Sequence, residues 1–303
     1  MKMIFATLVL TGITTGMAIA QQSAQYSQYM FNGLVLNPAY AGADEALSLT
    51  FVNRSQWVSV DGAPVTQSFS AHTLFDRQHL GVGLTVISDK IGVHKNQQAA
   101  GVVSYQLKVA EKSVLSFGMQ AGINIQKSNY AALNTGNAPL DVNYNGNLSQ
   151  AYFNVGMGIY YRSPKLDAGF SVPALMPEKY VVNDSATIHW RQANYFLFTR
   201  YRIRLNDMLW LEPSVLLKYH QGVPLSYDVN ACLVIKKALT VGASYRKSES
   251  LDFLLKAQVT PQLQLGYSYD FVMGAVSALS RGSHELMVNY VFRYTHTKIT
   301  SPR

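Results

Sequence analysis

Hydrophobic and polar residues alternate with a period of two along most of the chain, from about residue 46 to residue 294. The clearest stretch is 114–126, where apolar residues such as Phe117 alternate with glycine and polar residues such as Gln120. A helix would repeat its apolar positions about every 3.6 residues, so this pattern predicts β-strands. The runs are about ten residues or longer, whereas strands of soluble proteins are nearer five or six.

About fourteen such runs divide the chain. Pro164 and Pro173 closely bracket the seventh, which is the weakest of the set. The predicted spans are 46–58, 64–75, 79–88, 98–109, 113–126, 148–162, 165–171, 190–205, 209–220, 225–236, 239–246, 251–259, 262–270 and 284–294.

The lengths of the connections indicate how these strands are arranged. Every connection after an even-numbered run is tight, whereas long ones (127–147, 172–189 and 271–283) all follow odd-numbered runs. Outer-membrane barrels have short periplasmic turns and long outer loops, and a secreted β-sandwich or β-propeller has no reason to sort its loops in this way. The pattern therefore predicts an all-β fold, a transmembrane antiparallel β-barrel of about 14 strands.

Composition agrees with a membrane wall built from strands. Hydrophobic residues make up 48% of the chain and charged residues only 14%, yet no segment after the first twenty residues approaches the ~20 consecutive apolar residues of a spanning helix. Residues 1–20 have a Lys2 n-region, a short apolar stretch and an Ala18-Ile19-Ala20 cleavage site, which predicts a secretory signal peptide. The single cysteine, Cys232, lies in a predicted strand and is interpreted as a small apolar side chain.

No catalytic, metal-binding or cofactor motif emerges from the sequence. The seven histidines lack zinc-site spacing, there is no Gly-x-Ser-x-Gly motif, and the net charge of +8 is not gathered into a run of Lys and Arg. We therefore expect neither an enzyme nor a nucleic-acid-binding protein. An outer-membrane hydrolase with residues brought together only in space remains the third alternative.

The segment before the first strand is unusually apolar and aromatic for an exposed tail. Residues 21–45 include the sequence from Gln25 to Gly42 and lack a long alternating run. We interpret them as a plug folded into the lumen, or as a collar against the lower rim. The expected organisation is a signal peptide at 1–20, a plug or collar at 21–45, a barrel at 46–294 and a tail at 295–303.

Three arginines lie on one face of the eighth run. Arg200, Arg202 and Arg204 either contact an anionic ligand or a plug carboxylate, or pair with lumen acids such as Glu212 or Asp228. The second interpretation also allows the last of them to lie at the periplasmic rim.

The N-terminal motifs resemble the PorP/SprF family of type IX secretion system membrane proteins. The similarity covers essentially the whole chain after the signal peptide and is strongest in its first quarter. The first set of motif residues is Tyr26, Gln28, Tyr29, Phe31, Asn32, Asn37, Pro38, Tyr40 and Gly42. The second set, expected to be barrel partners of the plug or rim residues, is Arg54, Gln56, Trp57, Asp61, Gly62, Pro64, Asp89, Lys90 and Gly92.

The resemblance implies an outer-membrane protein of a Bacteroidota-type bacterium that works with the type IX secretion machinery. Family members are associated with export or surface attachment of cargo, including gliding adhesins, and with a periplasmic partner that reaches peptidoglycan. A non-catalytic component that binds cargo and machinery is thus the leading hypothesis. The alternative is a channel for small hydrophobic or anionic solutes, since a barrel with a hatch serves either role.

Two residues of the second set have candidate roles of their own. Arg54 and Trp57 are expected to anchor the plug, by a buried hydrogen bond and by aromatic packing, with Asn37-Pro38 forming the bend before the first strand. Trp57 is equally well explained as an aromatic residue at the membrane interface.

Overall fold

The computed structural model describes residues 24–130, 147–175 and 193–292. Within these ranges, fourteen strands form one antiparallel sheet, and β8 is interrupted at Arg202. They are β1 Leu47–Ser55, β2 Val65–Phe75, β3 Leu80–Ile91, β4 His94–Ala110, β5 Ser113–Asn129, β6 Asn147–Arg162, β7 Leu166–Val172, β8 Asn194–Tyr201 with Ile203–Arg204, β9 Leu209–His220, β10 Ser226–Ile235, β11 Leu239–Arg246, β12 Ser250–Gln258, β13 Leu263–Val272 and β14 Ser283–Phe292.

The sheet closes on itself. Strands follow one another in chain order, and β1 also pairs with β14, in register from Leu47 opposite Phe292 to Ser55 opposite His284. Among the described residues, each strand pairs with a neighbour on both sides over at least part of its length, so the strands form a closed ring, as a sheet in hydrocarbon requires. The predicted closed antiparallel barrel is confirmed.

In a soluble β-sandwich the apolar face of each strand is buried, but in these strands the apolar side chains are exposed and the polar side chains are buried. In β5, Met119 is 67% exposed on the outside, whereas its neighbour Gln120 is 7% exposed and faces the lumen. In β2, Ser68 and Ser70 are buried while Phe69 between them is exposed. Apolar residues thus cover the outer wall and polar residues line the interior, which is the arrangement of a membrane barrel.

The two ends of the barrel differ in their connections. Connections after even-numbered strands contain no more than four residues, and their spans are 76–79, 111–112, 163–165, 205–208, 236–238 and 259–262. Longer connections such as 56–64 and 273–282 lie at the opposite end. We call these the short-turn end and the long-loop end. Odd-numbered strands run toward the long-loop end, and even-numbered strands run away from it.

Several predicted spans differ from the observed strands at their ends, and the backbone explains two of the differences. The predicted loop 89–97 is a two-residue turn at Gly92 and Val93, because β3 and β4 extend beyond their alternating cores and Gly92 takes a φ of +55°. The first run ends at Ser55 rather than at residue 58, since Trp57 has a φ of +46° that a strand cannot accommodate.

Residues 24–46, here called the lumen segment, contain no strand. They form three short 3-10 turns, Tyr29–Phe31, Gly33–Val35 and Pro38–Tyr40, connected by irregular backbone. In the part of the chain that the structure describes, no helix is long and apolar enough to cross a membrane. The expected signal peptide 1–20 and tail 295–303 lie outside the described residues.

Candidate functional site

The lumen segment lies inside the barrel, in contact with inward-facing residues of many strands. Its central residues are almost completely buried, with Leu34 at 1% exposure and Ala39 and Ala41 at 0%.

Glycines in the wall make room for the backbone of the segment. A Cβ atom on Gly118 would lie 2.2 Å from the Ala39 nitrogen, and one on Gly81 would lie 2.2 Å from the Ala41 oxygen. Distances this short are incompatible with van der Waals contact, so a side chain at either position would displace the segment. These glycines fit the role of close backbone approach that glycine has within strands.

Glu285 of β14 holds the beginning of the segment. Its carboxylate accepts hydrogen bonds from the backbone nitrogens of Ser27 at 2.8 Å and Gln28 at 2.9 Å. Arg54 lies 2.7 Å from Asp270 and 3.2 Å from Glu285, and its Nη1 also donates to the Ser27 hydroxyl at 2.7 Å. The three charged side chains are at most 2% exposed. Each would be costly to bury alone, so the cluster is stable only as a unit.

A second buried cluster binds Tyr26 and Tyr29, which flank Ser27 and Gln28 in the chain. Arg246 of β11 pairs with Asp228 at 3.3 Å and donates to the Tyr26 carbonyl at 2.9 Å. Asn230 donates to the Tyr29 hydroxyl at 2.6 Å.

Two asparagines and Phe31 make the central contacts of the segment. Asn37 caps the Pro38–Tyr40 turn by accepting from the Ala39 nitrogen at 2.9 Å, and its Nδ2 donates to the Ile159 carbonyl at 3.0 Å. Asn32 accepts from the Ser70 hydroxyl at 3.0 Å. The Lys256 ammonium lies 4.2 Å from the centre of the Phe31 ring, which is a cation–π contact.

The end of the segment is held at the short-turn end. The Tyr40 ring packs edge-on against His72 and Tyr160, with centroids 5.5 and 5.3 Å away, and the Gly42 nitrogen donates to His72 Nδ1 at 3.1 Å. Arg162, the last residue of β6, donates to the Ala43 carbonyl and lies 2.7 Å from Glu45.

The arginines of β8 pair with an acid that the sequence did not single out. Arg200 and Arg202 each approach Asp167 of β7 at 2.5 Å, and Glu212 lies farther away, at 3.8 and 3.6 Å. Asp228 is not their partner, because Arg246 and Lys218 bind it. Arg200 also donates to the Met30 carbonyl of the segment at 3.3 Å. Arg204 pairs with Asp207 in the adjacent short turn.

The second set of motif residues divides between two locations. Arg54 alone of this set has a described hydrogen bond to the lumen segment. Asp89 faces the lumen and accepts from Thr66 at 2.5 Å, while Lys90 is exposed. The others lie in the β1–β2 and β3–β4 connections at the long-loop end, where Gly92 N donates to Gly62 O at 2.8 Å; they are Gln56, Trp57, Asp61, Gly62, Pro64 and Gly92.

Sequence reasoning missed most of the wall residues that bind the segment. Asp167, Arg246, Asp270 and Glu285 are isolated charges on polar strand faces, and no spacing in the sequence connects them with residues 24–46. The only signal was a charge at an inward-facing position, which is expensive to bury without a partner.

The polar wall residues bind the backbone of the protein's own lumen segment through hydrogen bonds. Among the described residues, no three His, Cys, Asp or Glu side chains are placed to hold a metal ion. Cys232 is buried among apolar side chains.

Comparison with solved structures finds barrels of low sequence identity. Omp33 of Acinetobacter baumannii is 9% identical, with 82% of this chain and 99% of that chain covered and a TM-score of 0.48. The CymD monoaromatic hydrocarbon channel is 13% identical, with 88% and 94% covered and a TM-score of 0.49. A Pseudomonas aeruginosa FadL homologue is 12% identical, with 85% and 93% covered and a TM-score of 0.47. These likenesses are too distant to carry an argument about function.

Comparison at the level of sequence assigns the family. No curated protein sequence matches the chain significantly. The family described as type IX secretion system membrane protein PorP/SprF matches residues 18–290, which include the lumen segment and nearly the whole barrel. The chain therefore belongs to the PorP/SprF family of type IX secretion system membrane proteins.

Proposed function

We propose that this outer-membrane barrel is a non-catalytic component of type IX secretion that assists export or surface attachment of specific, adhesin-like cargo proteins. Membership of the PorP/SprF family supports a role with the secretion machinery. The mechanism is recognition: the barrel binds cargo on one side of the membrane and machinery on the other.

The observation that carries this proposal is the filled lumen. Buried charge-assisted hydrogen bonds hold the lumen segment to β14 at one end, and Arg162 holds it at the other. A lumen occupied along its length by the protein's own backbone favours a scaffold over an open pore. Binding surfaces are then the connections at the two ends, while the apolar outer wall contacts lipid.

The two ends suit different partners. The longer connections, such as 56–64 and 273–282, provide an outer surface for exported cargo. The short turns and the end of the lumen segment face the periplasm, where the secretion machinery and a peptidoglycan-binding protein are the proposed partners. Loops are the usual location of recognition residues on a rigid scaffold.

The test is a comparison of surface and secreted proteomes between a deletion strain and the same strain complemented with the full-length chain. We expect selective loss of one or a few large exported proteins, with loss of gliding if the cargo is a motility adhesin. An unchanged surface proteome would contradict the proposal.

One observation favours the alternative of a small-solute channel. A largely apolar cavity of about 70 Å³ lies between the lumen segment and β8–β9, and its lining includes Tyr29, Leu36, Phe196 and Leu216. Small-molecule sites are typically apolar pockets with a few polar groups, and their usual volume of about 300–1,000 Å³ is several times that of this cavity, so a solute would enter only if the segment moved.

Planar-bilayer recordings separate the two functions. A channel gated by the segment would open in the intact chain when hydrophobic or anionic solutes are added, and deletion of residues 21–42 would leave it permanently open. A scaffold stays closed in the intact chain with every solute tested.

A further inference from the structure

The beginning of the lumen segment lies at the long-loop end of the barrel. Ala24 and Gln25 line one cavity together with Val223 and Pro224, which belong to the connection between β9 and β10. That connection follows an odd-numbered strand and therefore lies at the long-loop end.

The hydrogen bonds of Ser27 give the same location independently. Its partner Arg54 is the next-to-last residue of β1, and Asp270 is the third residue from the end of β13. Glu285 is the third residue of β14. Odd-numbered strands end at the long loops and even-numbered strands begin there, so all three partners lie near that end.

The end of the segment lies at the opposite end of the barrel. Arg162 binds both Ala43 and Glu45, and it is the last residue of β6, an even-numbered strand that ends at a short turn. Between these ends, Asn37 bonds to Ile159, three residues before Arg162 in the same strand. From Ser27 to Glu45, the wall residues that bind the segment therefore lie progressively farther from the long-loop end and closer to the short-turn end.

We propose that the lumen segment crosses the outer membrane inside the barrel, so that Ala24 and Gln25 are accessible from outside the cell while Glu45 is accessible from the periplasm. The long-loop end is the outer one, because outer-membrane barrels carry short turns on the periplasmic side. Residues 24–46 have an extended reach of roughly 75 Å, more than twice a hydrocarbon core of about 30 Å, so the length permits this path even with three turns.

This crossing gives the segment one end on each side of the membrane. The inference concerns the path of the chain and stands whether or not cargo binding is the function.

Labelling of single cysteines in whole cells tests the crossing. In a Cys232→Ala background, which removes the buried native thiol, Ala24→Cys is compared with Gln221→Cys in the β9–β10 connection and with Lys112→Cys in the β4–β5 turn. Heat-modifiable gel migration of each variant verifies that the barrel has folded. The probe is a maleimide that does not cross membranes.

We expect Ala24→Cys and Gln221→Cys to be labelled in intact cells, and Lys112→Cys to be labelled only after the outer membrane is permeabilised. Labelling of Ala24→Cys only after permeabilisation, or in neither condition, would overturn the proposed path. Protection of Gln221→Cys in intact cells would overturn it as well, since the long-loop end would not then face outward.

Discussion

Arg54 shows how strongly a single residue of the wall holds the lumen segment. Its guanidinium lies between Asp270 and Glu285, and all three side chains are at most 2% exposed. Removing it leaves two acids buried without their cation, and breaking such a pair usually costs about 3–5 kcal/mol.

The first prediction compares Arg54→Ala with Arg204→Ala. Arg204 pairs with Asp207 in an exposed turn, where the loss is worth at most about 1 kcal/mol. Urea unfolding in detergent should show a much lower midpoint for Arg54→Ala alone, and hydrogen exchange should rise at Ser27 and Gln28. Equal stability of the two variants would remove Arg54 from the role of anchor.

Gly118 tests the close contact between wall and segment. We expect Gly118→Ala to force Ala39 away from the wall at a cost of about 1–3 kcal/mol, because the added Cβ would lie 2.2 Å from the Ala39 nitrogen. Hydrogen exchange of peptides covering residues 37–43, followed by mass spectrometry, measures the loosening.

Gly101→Ala is the matched control for this substitution. The nearest atom to a Cβ on Gly101 is 4.0 Å away, so it should leave exchange in residues 37–43 unchanged. If Gly118→Ala also left it unchanged, the segment would not pack against β5 as described.

Single residues were the least predictable level from sequence. Motif residues such as Asn32 and Asn37 were found, but their partners Ser70 and Ile159 were not, because the contacts depend on how the barrel closes. Asp167 was missed as the partner of Arg200 for the same reason, since it lies in the short seventh strand whose register could not be inferred.

At the scale of the strand, the depth of an outward-facing residue in the membrane determines how much a charged substitution there destabilises the barrel. Met119 is 67% exposed and lies near the middle of the membrane-spanning part of β5, whereas Val109 is 53% exposed beside a short turn. An arginine costs about 2–4 kcal/mol at the bilayer midplane and about 0–1 kcal/mol near the interface.

We therefore expect Met119→Arg to lower the unfolding free energy in phospholipid vesicles by about 2–4 kcal/mol, and Val109→Arg to change it by no more than about 1 kcal/mol. Denaturant titration followed by tryptophan fluorescence provides the measurement. A similar cost at both positions would contradict the position of β5 in the membrane.

Strands were the most predictable level. The number and order of the strands follow from the period of two, the length of the runs and the parity of the long loops. A membrane-spanning sheet must also be closed, which leaves few other arrangements of these strands. The turn at Gly92 was missed, since the polar sequence from His94 to Gln97 lacks alternation although β4 begins at His94. Outside the hydrocarbon, a strand has no need of an apolar face.

At the scale of the molecule, the lumen segment occupies the interior of the barrel, and we expect it to decide whether the barrel conducts. Arg54 and Arg246 hold its first residues through Ser27 and Tyr26. The intact chain should be silent in planar bilayers, because the segment spans the lumen.

The double variant Arg54→Ala, Arg246→Ala should show openings, with Arg204→Ala as the silent control. Openings of the intact chain as frequent as those of the double variant would mean that the segment does not close the lumen.

The first described residues of the chain contact its last strands in this barrel. The lumen segment precedes every strand, yet Ser27 binds Asp270 and Glu285, which follow it by 243 and 258 residues. The same strand that carries Glu285 also closes the sheet against β1. The wall must therefore fold around the segment, and Ser27 finds these two partners only when the last hairpin has formed. Contacts this distant in sequence form slowly. Until then the aromatic residues of the segment are exposed to aggregation, so protection of residues 24–46 during transit is a requirement of assembly that ends when the ring closes.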